Sequence, residues 1–171
     1  LACCVDALER RSNFAYQWNF VRNLKARMRR KAALFPDEFS VEPLGRIWTV
    51  RQFDEAYTAP YYGFKDATDY YHRASAMRGI DRIAVPTLLL TAENDPFVPA
   101  TPFRDPAVTA NQAITTVITP EGGHCAFVEQ PDGRYDGYWA EREVVRFAGE
   151  AWRGAPSGPS RTPDLSLPLR A

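Results

Sequence analysis

Only two stretches of this chain have the continuous apolar composition of buried β-strands, and this scarcity limits the folds that it can adopt. They are residues 83–91 and residues 113–119. Runs of this kind are typical of strands in a parallel sheet, which needs cover on both faces. Two strands alone do not form an independently stable sheet. We therefore expect an α/β fold whose sheet is incomplete in this sequence, the two strands being the last of a larger sheet.

The rest of the chain has helical periodicity. Apolar residues spaced by three and four predict a long helix over residues 14–34, with Ser12 or Asn13 as its N-cap. Further helical segments are predicted at 1–11, 50–57, 65–76, 105–110 and 138–152. We expect one partial domain over residues 1–153, with a mainly helical segment at 12–80 and the strands and closing helix at 83–153. Residues 154–171, rich in Pro and Ser, are predicted to form a disordered tail.

Composition and charge exclude several classes of protein. The chain has 171 residues and equal numbers of basic and acidic residues, 21 of each, so its formal net charge is zero. This balance gives no reason to expect a nucleic-acid partner. No apolar run approaches the roughly 18 residues of a membrane span. The three cysteines are an odd number and two are adjacent, which argues against a disulfide framework and favours a cytoplasmic protein.

Two residues of catalytic type follow the two predicted strands. Asp95 comes shortly after the first strand, and His124 follows the second across Gly122 and Gly123, which allow a sharp turn. The carboxyl ends of parallel strands meet at one edge of an α/β sheet, where such proteins carry functional groups. In a carboxylate–imidazole pair the carboxylate fixes the tautomer, and the other ring nitrogen acts as a general base. We therefore predict that Asp95 and His124 form such a pair.

The motifs around these residues resemble the YheT-like branch of the α/β-hydrolase superfamily, whose triad runs Ser, Asp, His along the chain. The similar segments are Arg-Gln-Phe-Asp-Glu at 51–55, Gly-Phe-Lys-Asp-Ala at 63–67, Pro-Thr-Leu-Leu-Leu at 86–90, Asn-Asp-Pro-Phe at 94–97 and Gly-Gly-His-Cys-Ala-Phe at 122–127. The resemblance covers residues 1–150. It implies a serine hydrolase of carboxylic esters, an esterase or lipase without a cofactor, whose substrate is a small ester or a lipid.

By this resemblance Asp95 is the triad acid, His124 is the triad base and residues 12–80 form a helical cap. Aromatic residues of the cap could line an acyl pocket, namely Trp18, Phe20, Trp48, Tyr61 and Tyr62. The Gly-x-Ser-x-Gly nucleophile elbow of such enzymes is not found in these 171 residues. Ser75 follows a helical pattern and is interpreted as structural, and Cys125 as a small packing residue. We therefore expect a C-terminal portion, inactive alone, whose partner is the missing N-terminal half of the hydrolase domain.

Two further interpretations compete with this one. The chain could be a non-catalytic remnant or a binding module that uses the helix over residues 14–34, which carries six basic residues and no acidic one. Such a helix can make weak peripheral contact with an anionic membrane, or it can be the solvated face of a cap helix. A zinc site could be drawn from Cys3, Cys4, His72, His124 and Cys125. Their spacing matches no common zinc motif, so no metal site is predicted.

Overall fold

The computed structural model describes residues 1–133 and 135–154, and most of the predicted tail therefore lies outside the described residues. These residues form an α/β protein in which helices precede two parallel strands. The helices before the sheet are α1 (Ala2–Leu8), α2 (Phe14–Leu34), α3 (Val50–Phe53), α4 (Ala59–Tyr61) and α5 (Ala67–Arg73). Strands β1 (Thr87–Ala92) and β2 (Ile114–Thr119) are joined through α6 (Pro106–Thr109), and α7 (Trp139–Gly154) follows the sheet.

The two strands are hydrogen-bonded in parallel, with Thr87 opposite Ile114 and Ala92 opposite Thr119. Because both strands run the same way, their carboxyl ends lie at one edge of the sheet. The segments that follow, residues 93–99 and 120–124, are consequently neighbours at that edge. This register places the sequence-predicted site residues side by side.

Strand β1 is shorter at its start than the apolar pattern indicates. The predicted strand began at residue 83, whereas pairing begins at Thr87. Pro86 has no N–H to donate to a ladder, which disfavours pairing before it. The side-chain amide of Asn111 instead donates to the carbonyls of Ile80 and Ile83, at 3.1 and 3.0 Å, and holds this segment in an irregular turn.

The prediction that this strand is buried on both faces is wrong for the described residues. Thr91 and Ala92 are buried, but residues 87–90 are only half-buried. In the part of the chain that the structure describes, the sheet contains these two strands alone. A parallel sheet needs layers on both faces to bury its residues, and here the cover is partial.

The long helix α2 confirms the prediction for residues 14–34. Asn13 precedes it at the N-cap position, but its side chain makes no capping hydrogen bond and is used elsewhere. Helix α7 lies close to its predicted range, and its apolar residues Val144, Val145 and Trp152 are exposed. None of the helices in the described ranges is long and apolar enough to cross a bilayer.

The helix predicted at residues 50–57 is longer than expected. Helix α3 continues through a π-helical turn (Asp54–Thr58) into α4, so the helical path passes Pro60. Proline lacks an N–H and its ring crowds the carbonyl four residues earlier. A wider π turn just before Pro60 accommodates that defect. The next helix, α5, is shorter than the predicted 65–76 and begins after Asp66, whose carboxylate accepts a hydrogen bond from the N–H of Asp69.

The main core lies between α2, α3 and the irregular chain that joins them. Its buried residues are Val21, Met28, Ala32, Phe39, Leu44, Ile47, Phe53 and Tyr57. The hydroxyl of Tyr57 donates to the carbonyl of Ser40 at 2.8 Å, so the one polar atom of that ring is satisfied. This core holds the middle and the end of α2, and the start of the same helix contacts the site described below.

A polar network joins α1 to the other helices. Arg51 pairs with Asp6 and Glu9 of the α1 region, at 2.5 and 3.2 Å. The hydroxyl of Tyr71 donates to Asp54 at 2.7 Å. Burial, together with this carboxylate, raises the pKa of Tyr71, so the phenol stays protonated. Arg51 and Asp54 of the Arg-Gln-Phe-Asp-Glu segment, together with Tyr71, therefore act structurally here.

Candidate active site

Asp95 and His124 meet at the carboxyl edge of the sheet. Asp95 lies in the loop that follows β1, and His124 lies in the turn after β2. His124 Nδ1 is 2.9 Å from Asp95 Oδ2, which is hydrogen-bond distance. The pairing of these two side chains that the sequence predicts is therefore present in the structure. Their catalytic role stays a prediction.

Asp95 is held by both of its oxygens. Oδ1 accepts hydrogen bonds from the backbone N–H groups of Phe97 and Val98, at 3.0 and 2.9 Å, while Oδ2 contacts His124. The side chain is only 4% exposed. Burial alone would raise the pKa of Asp95, but the hydrogen bonds from His124 and from the two backbone groups outweigh it and lower the pKa. Asp95 is consequently an anion at neutral pH, in a fixed orientation.

The imidazole of His124 packs against the protein and is about half exposed to solvent. Its ring packs against Phe97, with centroids 4.5 Å apart, and its side chain is 49% exposed. Because Nδ1 faces the carboxylate, Nε2 is the ring nitrogen left to exchange protons with another group. The pair therefore leaves Nε2 free of the carboxylate contact, on a half-exposed side chain.

Two glycines and an asparagine shape the turn that carries His124. Gly123 has a left-handed φ of 59°, and a Cβ atom on Gly122 would lie 2.5 Å from the ring of Phe127. The N–H of Gly123 donates to Asn94 Oδ1 at 2.8 Å, which ties the His124 turn to the Asp95 loop. The sequence analysis gave Asn94 no role of its own. Its position next to Asp95, the predicted acid, is the sequence feature that could have indicated this contact.

Helix α2 also braces the Asp95 loop. The buried amide of Asn13 donates to the carbonyl of Pro96 at 2.6 Å and to that of Ala7 at 2.8 Å. Tyr16 and Phe20 pack edge-on against Phe97, at centroid distances of 5.5 and 5.9 Å. The sequence suggested Asn13 only as a helix cap. Nothing in the local pattern indicates that one of its two partners, Pro96, lies on a loop 83 residues away.

The structure separates the aromatic residues suggested for an acyl pocket. Phe20 lies against Phe97, beside His124. Trp18 and Trp48 line a different cavity, of about 530 Å³, together with basic residues of α2. Tyr61 packs on Phe39 and Tyr62. Phe20 is therefore the candidate whose ring contacts Phe97, the residue that packs against His124.

The role suggested for Cys125 needs correction. The sequence analysis interpreted this residue as a small packing side chain, but it is exposed. It follows His124 in a turn stabilised by hydrogen bonds from the N–H groups of Ala126 and Phe127 to the carbonyl of Gly122. That turn leaves no layer of chain over Cys125. Among residues 1–133 and 135–154, no group of three or more His, Cys, Asp or Glu side chains is arranged to hold a metal.

Comparison with known proteins gives a consistent set of relatives. The chain is 34% identical over 130 residues to YheT of Escherichia coli (strain K12), which is named as a candidate esterase; the match covers 75% of this chain and 38% of that protein. It is 37% identical over 100 residues to medium-chain fatty acid ethyl ester synthase/esterase 2 of Saccharomyces cerevisiae, covering 58% and 21%. It is 27% identical over 127 residues to phospholipase ABHD3 of Mus musculus, covering 74% and 31%.

The chain thus spans between 21% and 38% of the length of these curated relatives. No protein-family model matches it, and no solved structure matches it. The relatives share esterase and lipase names, and the aligned region takes in most of the described fold. The chain is therefore similar, over 58% to 75% of its length, to YheT-like α/β-hydrolases.

Proposed function

We propose that this chain supplies the acid and the base of a serine carboxylic-ester hydrolase. The observation that carries the proposal is the 2.9 Å contact between Asp95 Oδ2 and His124 Nδ1, which leaves Nε2 accessible. The names of the relatives, which include esterases and a phospholipase, support ester or lipid substrates. Within this chain, no Gly-x-Ser-x-Gly segment accompanies the pair.

In the proposed reaction Asp95 keeps the Nδ1 proton of His124 in place. His124 Nε2 then removes the proton from a serine hydroxyl as the oxygen attacks the ester carbonyl, and the Asp95 carboxylate stabilises the resulting imidazolium. The imidazolium returns the proton to the leaving alcohol, and the same base activates water for the second half of the reaction. Asp95 is suited to this role because it is buried, anionic and held by three hydrogen bonds.

The serine and the oxyanion donors of this reaction are proposed to come from hydrolase sequence that the 171 residues do not contain. In this proposal β1 and β2 are the last strands of an α/β-hydrolase sheet, residues 12–80 are its helical cap, and the N-terminal half of the domain is the partner. The half-buried state of residues 87–90 supports it, because parallel strands are normally covered on both faces.

The test uses the product of the complete reading frame that encodes these residues. We expect turnover of p-nitrophenyl butyrate, and labelling of one serine by a fluorophosphonate probe. His124→Ala should abolish nearly all turnover, and Asp95→Asn should lower kcat by up to about 10⁴, because the wrong tautomer is then favoured. The 171-residue chain by itself should be inactive.

The chain contains a matched control for the histidine. His72 is the only other histidine, and it is an exposed residue of α5. His72→Ala should leave turnover unchanged. A complete product whose ester hydrolysis survives His124→Ala, or which lacks a serine elbow, would favour the non-catalytic remnant instead.

A further inference from the structure

Helix α2 presents a stripe of aromatic and basic side chains to solvent, next to Trp48. Phe14 is 69% exposed, Trp18 54% and Trp48 71%. Large aromatic side chains are unusual at such exposure when they lie side by side. Together they border the cavity of about 530 Å³. We call this face, formed by Phe14, Trp18, Arg22, Lys25, Arg29 and Trp48, the α2 groove.

The charge of the α2 groove has one sign. Arg22, Lys25 and Arg29 line it, and no carboxylate does. The Arg22 guanidinium lies 5.5 Å from the ring of Trp18, and the Lys25 ammonium lies 5.0 Å from that of Trp48. Apolar rings flanked by cations are the composition of surfaces that bind the interface of an anionic membrane. The chain as a whole has zero net charge, so attraction to an anionic surface must be local.

The α2 groove is separate from the Asp95–His124 pair. With 3.6 residues per turn, Phe14, Trp18 and Lys25 project on one side of α2, whereas Tyr16 and Phe20 project on the other. Tyr16 and Phe20 are the residues that pack against Phe97 beside His124. Tyr16 and Phe20 therefore support the candidate site, whereas Phe14 and Trp18, on the opposite side of the helix, are exposed.

An unused hydrogen-bond acceptor lies in the same groove. Gln17 lines the cavity, and its buried Oε1 has no partner among the described residues. A buried polar atom without a partner is costly unless a ligand or water satisfies it. The glycerol hydroxyls of a phosphatidylglycerol headgroup could donate to this oxygen while its phosphate faces the basic residues.

We propose that the α2 groove docks the protein on an anionic lipid surface. The occupant is the membrane interface: the rings of Phe14, Trp18 and Trp48 enter the boundary between headgroups and acyl chains, and Arg22, Lys25 and Arg29 pair with lipid phosphates. This docking does not require the proposed esterase reaction, because the two faces of α2 are distinct.

The test is co-sedimentation of the complete reading-frame product with phosphatidylglycerol or phosphatidylcholine vesicles. We expect binding to the anionic vesicles that weakens as salt rises, because exposed charges are screened over about 8 Å at physiological ionic strength. Arg22→Gln combined with Lys25→Gln should weaken partitioning on the order of 30-fold, at roughly fivefold for each basic residue near the surface.

Two basic residues of the same helix form a matched control. Arg27 and Arg30 are exposed, do not line the groove and fall on its far side by helical periodicity. Arg27→Gln combined with Arg30→Gln removes the same charge and should leave binding nearly unchanged. Equal losses in the two double variants would overturn the proposal, as would equal binding to phosphatidylcholine or no binding to either vesicle.

Depth of insertion gives a readout that does not depend on charge. Brominated phosphatidylglycerol should quench tryptophan fluorescence in the parent, and much less in Trp18→Phe combined with Trp48→Phe. Trp152→Phe, at an exposed site on α7, should not change the quenching. If Trp152→Phe removes the quenching and the Trp18→Phe, Trp48→Phe double variant keeps it, the lipid contact lies outside the α2 groove. If the protein self-associates in the absence of lipid and Trp18→Ala abolishes this association, the occupant of the α2 groove is a second copy of the chain, and the proposal is wrong. Circular dichroism verifies that each variant is folded.

Discussion

Asp95 has two separable functions because its two carboxylate oxygens have different partners. Oδ1 organises the residue's own loop through the N–H groups of Phe97 and Val98, whereas Oδ2 orients His124. An asparagine can keep the first set of bonds, since its Oδ1 is also an acceptor. Its amide would donate towards His124 and select the opposite tautomer. Asp95→Asn thus separates the chemistry of the dyad from the shape of the loop.

The lowered pKa of Asp95 gives a prediction about acid stability. A carboxyl whose pKa is lower in the folded than in the unfolded state stabilises the fold above its ordinary pKa of about 3.9, and that contribution is lost as the pH falls through the lowered value. The free energy of unfolding of the parent should therefore fall more than that of Asp95→Asn between about pH 6 and pH 2. Urea titrations at several pH values measure this difference.

Asp37→Asn is the control for this prediction, because it removes one exposed carboxylate and leaves the loop untouched. Its pH dependence should match that of the parent. Parallel curves for the parent and Asp95→Asn would mean that the His124 contact contributes nothing to stability.

At the scale of elements, the start of α2 connects α1 with the loop that carries Asp95. Asn13 makes this connection through one amide group, which reaches the carbonyls of Ala7 and Pro96. Phe97 adds a second contact, since its ring lies between His124 and two aromatic residues of α2. The position of the dyad therefore depends on helix packing as well as on the sheet.

Removing the Asn13 amide should loosen this connection. Asn13→Ala leaves the carbonyl of Pro96 without this donor and the carbonyl of Ala7 with its backbone donor, the N–H of Arg10. We expect a loss of about 1–3 kcal/mol in the free energy of unfolding. Asn13→Asp should cost at least as much, because a carboxylate cannot donate to either carbonyl. Urea denaturation measures both changes.

Asn23→Ala is the matched control on the same helix. Asn23 is exposed and makes one long contact with Asn19, so its loss should change stability by no more than about 0.5 kcal/mol. If Asn13→Ala is equally mild, the bracing role assigned to Asn13 is wrong.

On the scale of the whole molecule, the described residues leave a large apolar area uncovered. Residues 87–90 of β1 are half-buried, and the apolar residues Val145 and Trp152 of α7 are strongly exposed. Contiguous apolar surface of this kind is usually covered by further chain or by a partner. The chain spans only a small fraction of the length of its curated relatives.

The isolated 171-residue chain should consequently bind the dye ANS. Val145→Ser combined with Trp152→Ser should reduce the dye fluorescence and change stability by at most about 0.5 kcal/mol, since no residue of α7 is buried. Val21→Ser, at a buried core position of α2, should instead make unfolding easier. Dye binding that is unchanged by the α7 double variant would locate the exposed apolar surface elsewhere.

Local patterns in the sequence were enough to predict the dyad and most of the elements. Helix α2 follows from apolar spacing, and β2 follows from a short apolar run after a turn. Because parallel strands bring their carboxyl ends to one edge, Asp95 and His124 could be paired from their order along the chain alone. The scarcity of strands also predicts an incomplete sheet, which stays a prediction.

Tertiary structure decided what depends on partners far away in the chain. The segment before β1 forms an irregular turn because the amide of Asn111 donates to the carbonyls of Ile80 and Ile83, and no local pattern encodes that contact. Asn13 contacts a residue 83 positions away, so its neighbours in sequence give no sign of this role. Asn94 lies beside Asp95, but its partner Gly123 is 29 positions away. Which side of α2 faces the dyad and which side faces solvent is likewise set by packing. Periodicity reveals that a helix has faces, but only the folded chain determines what each face meets.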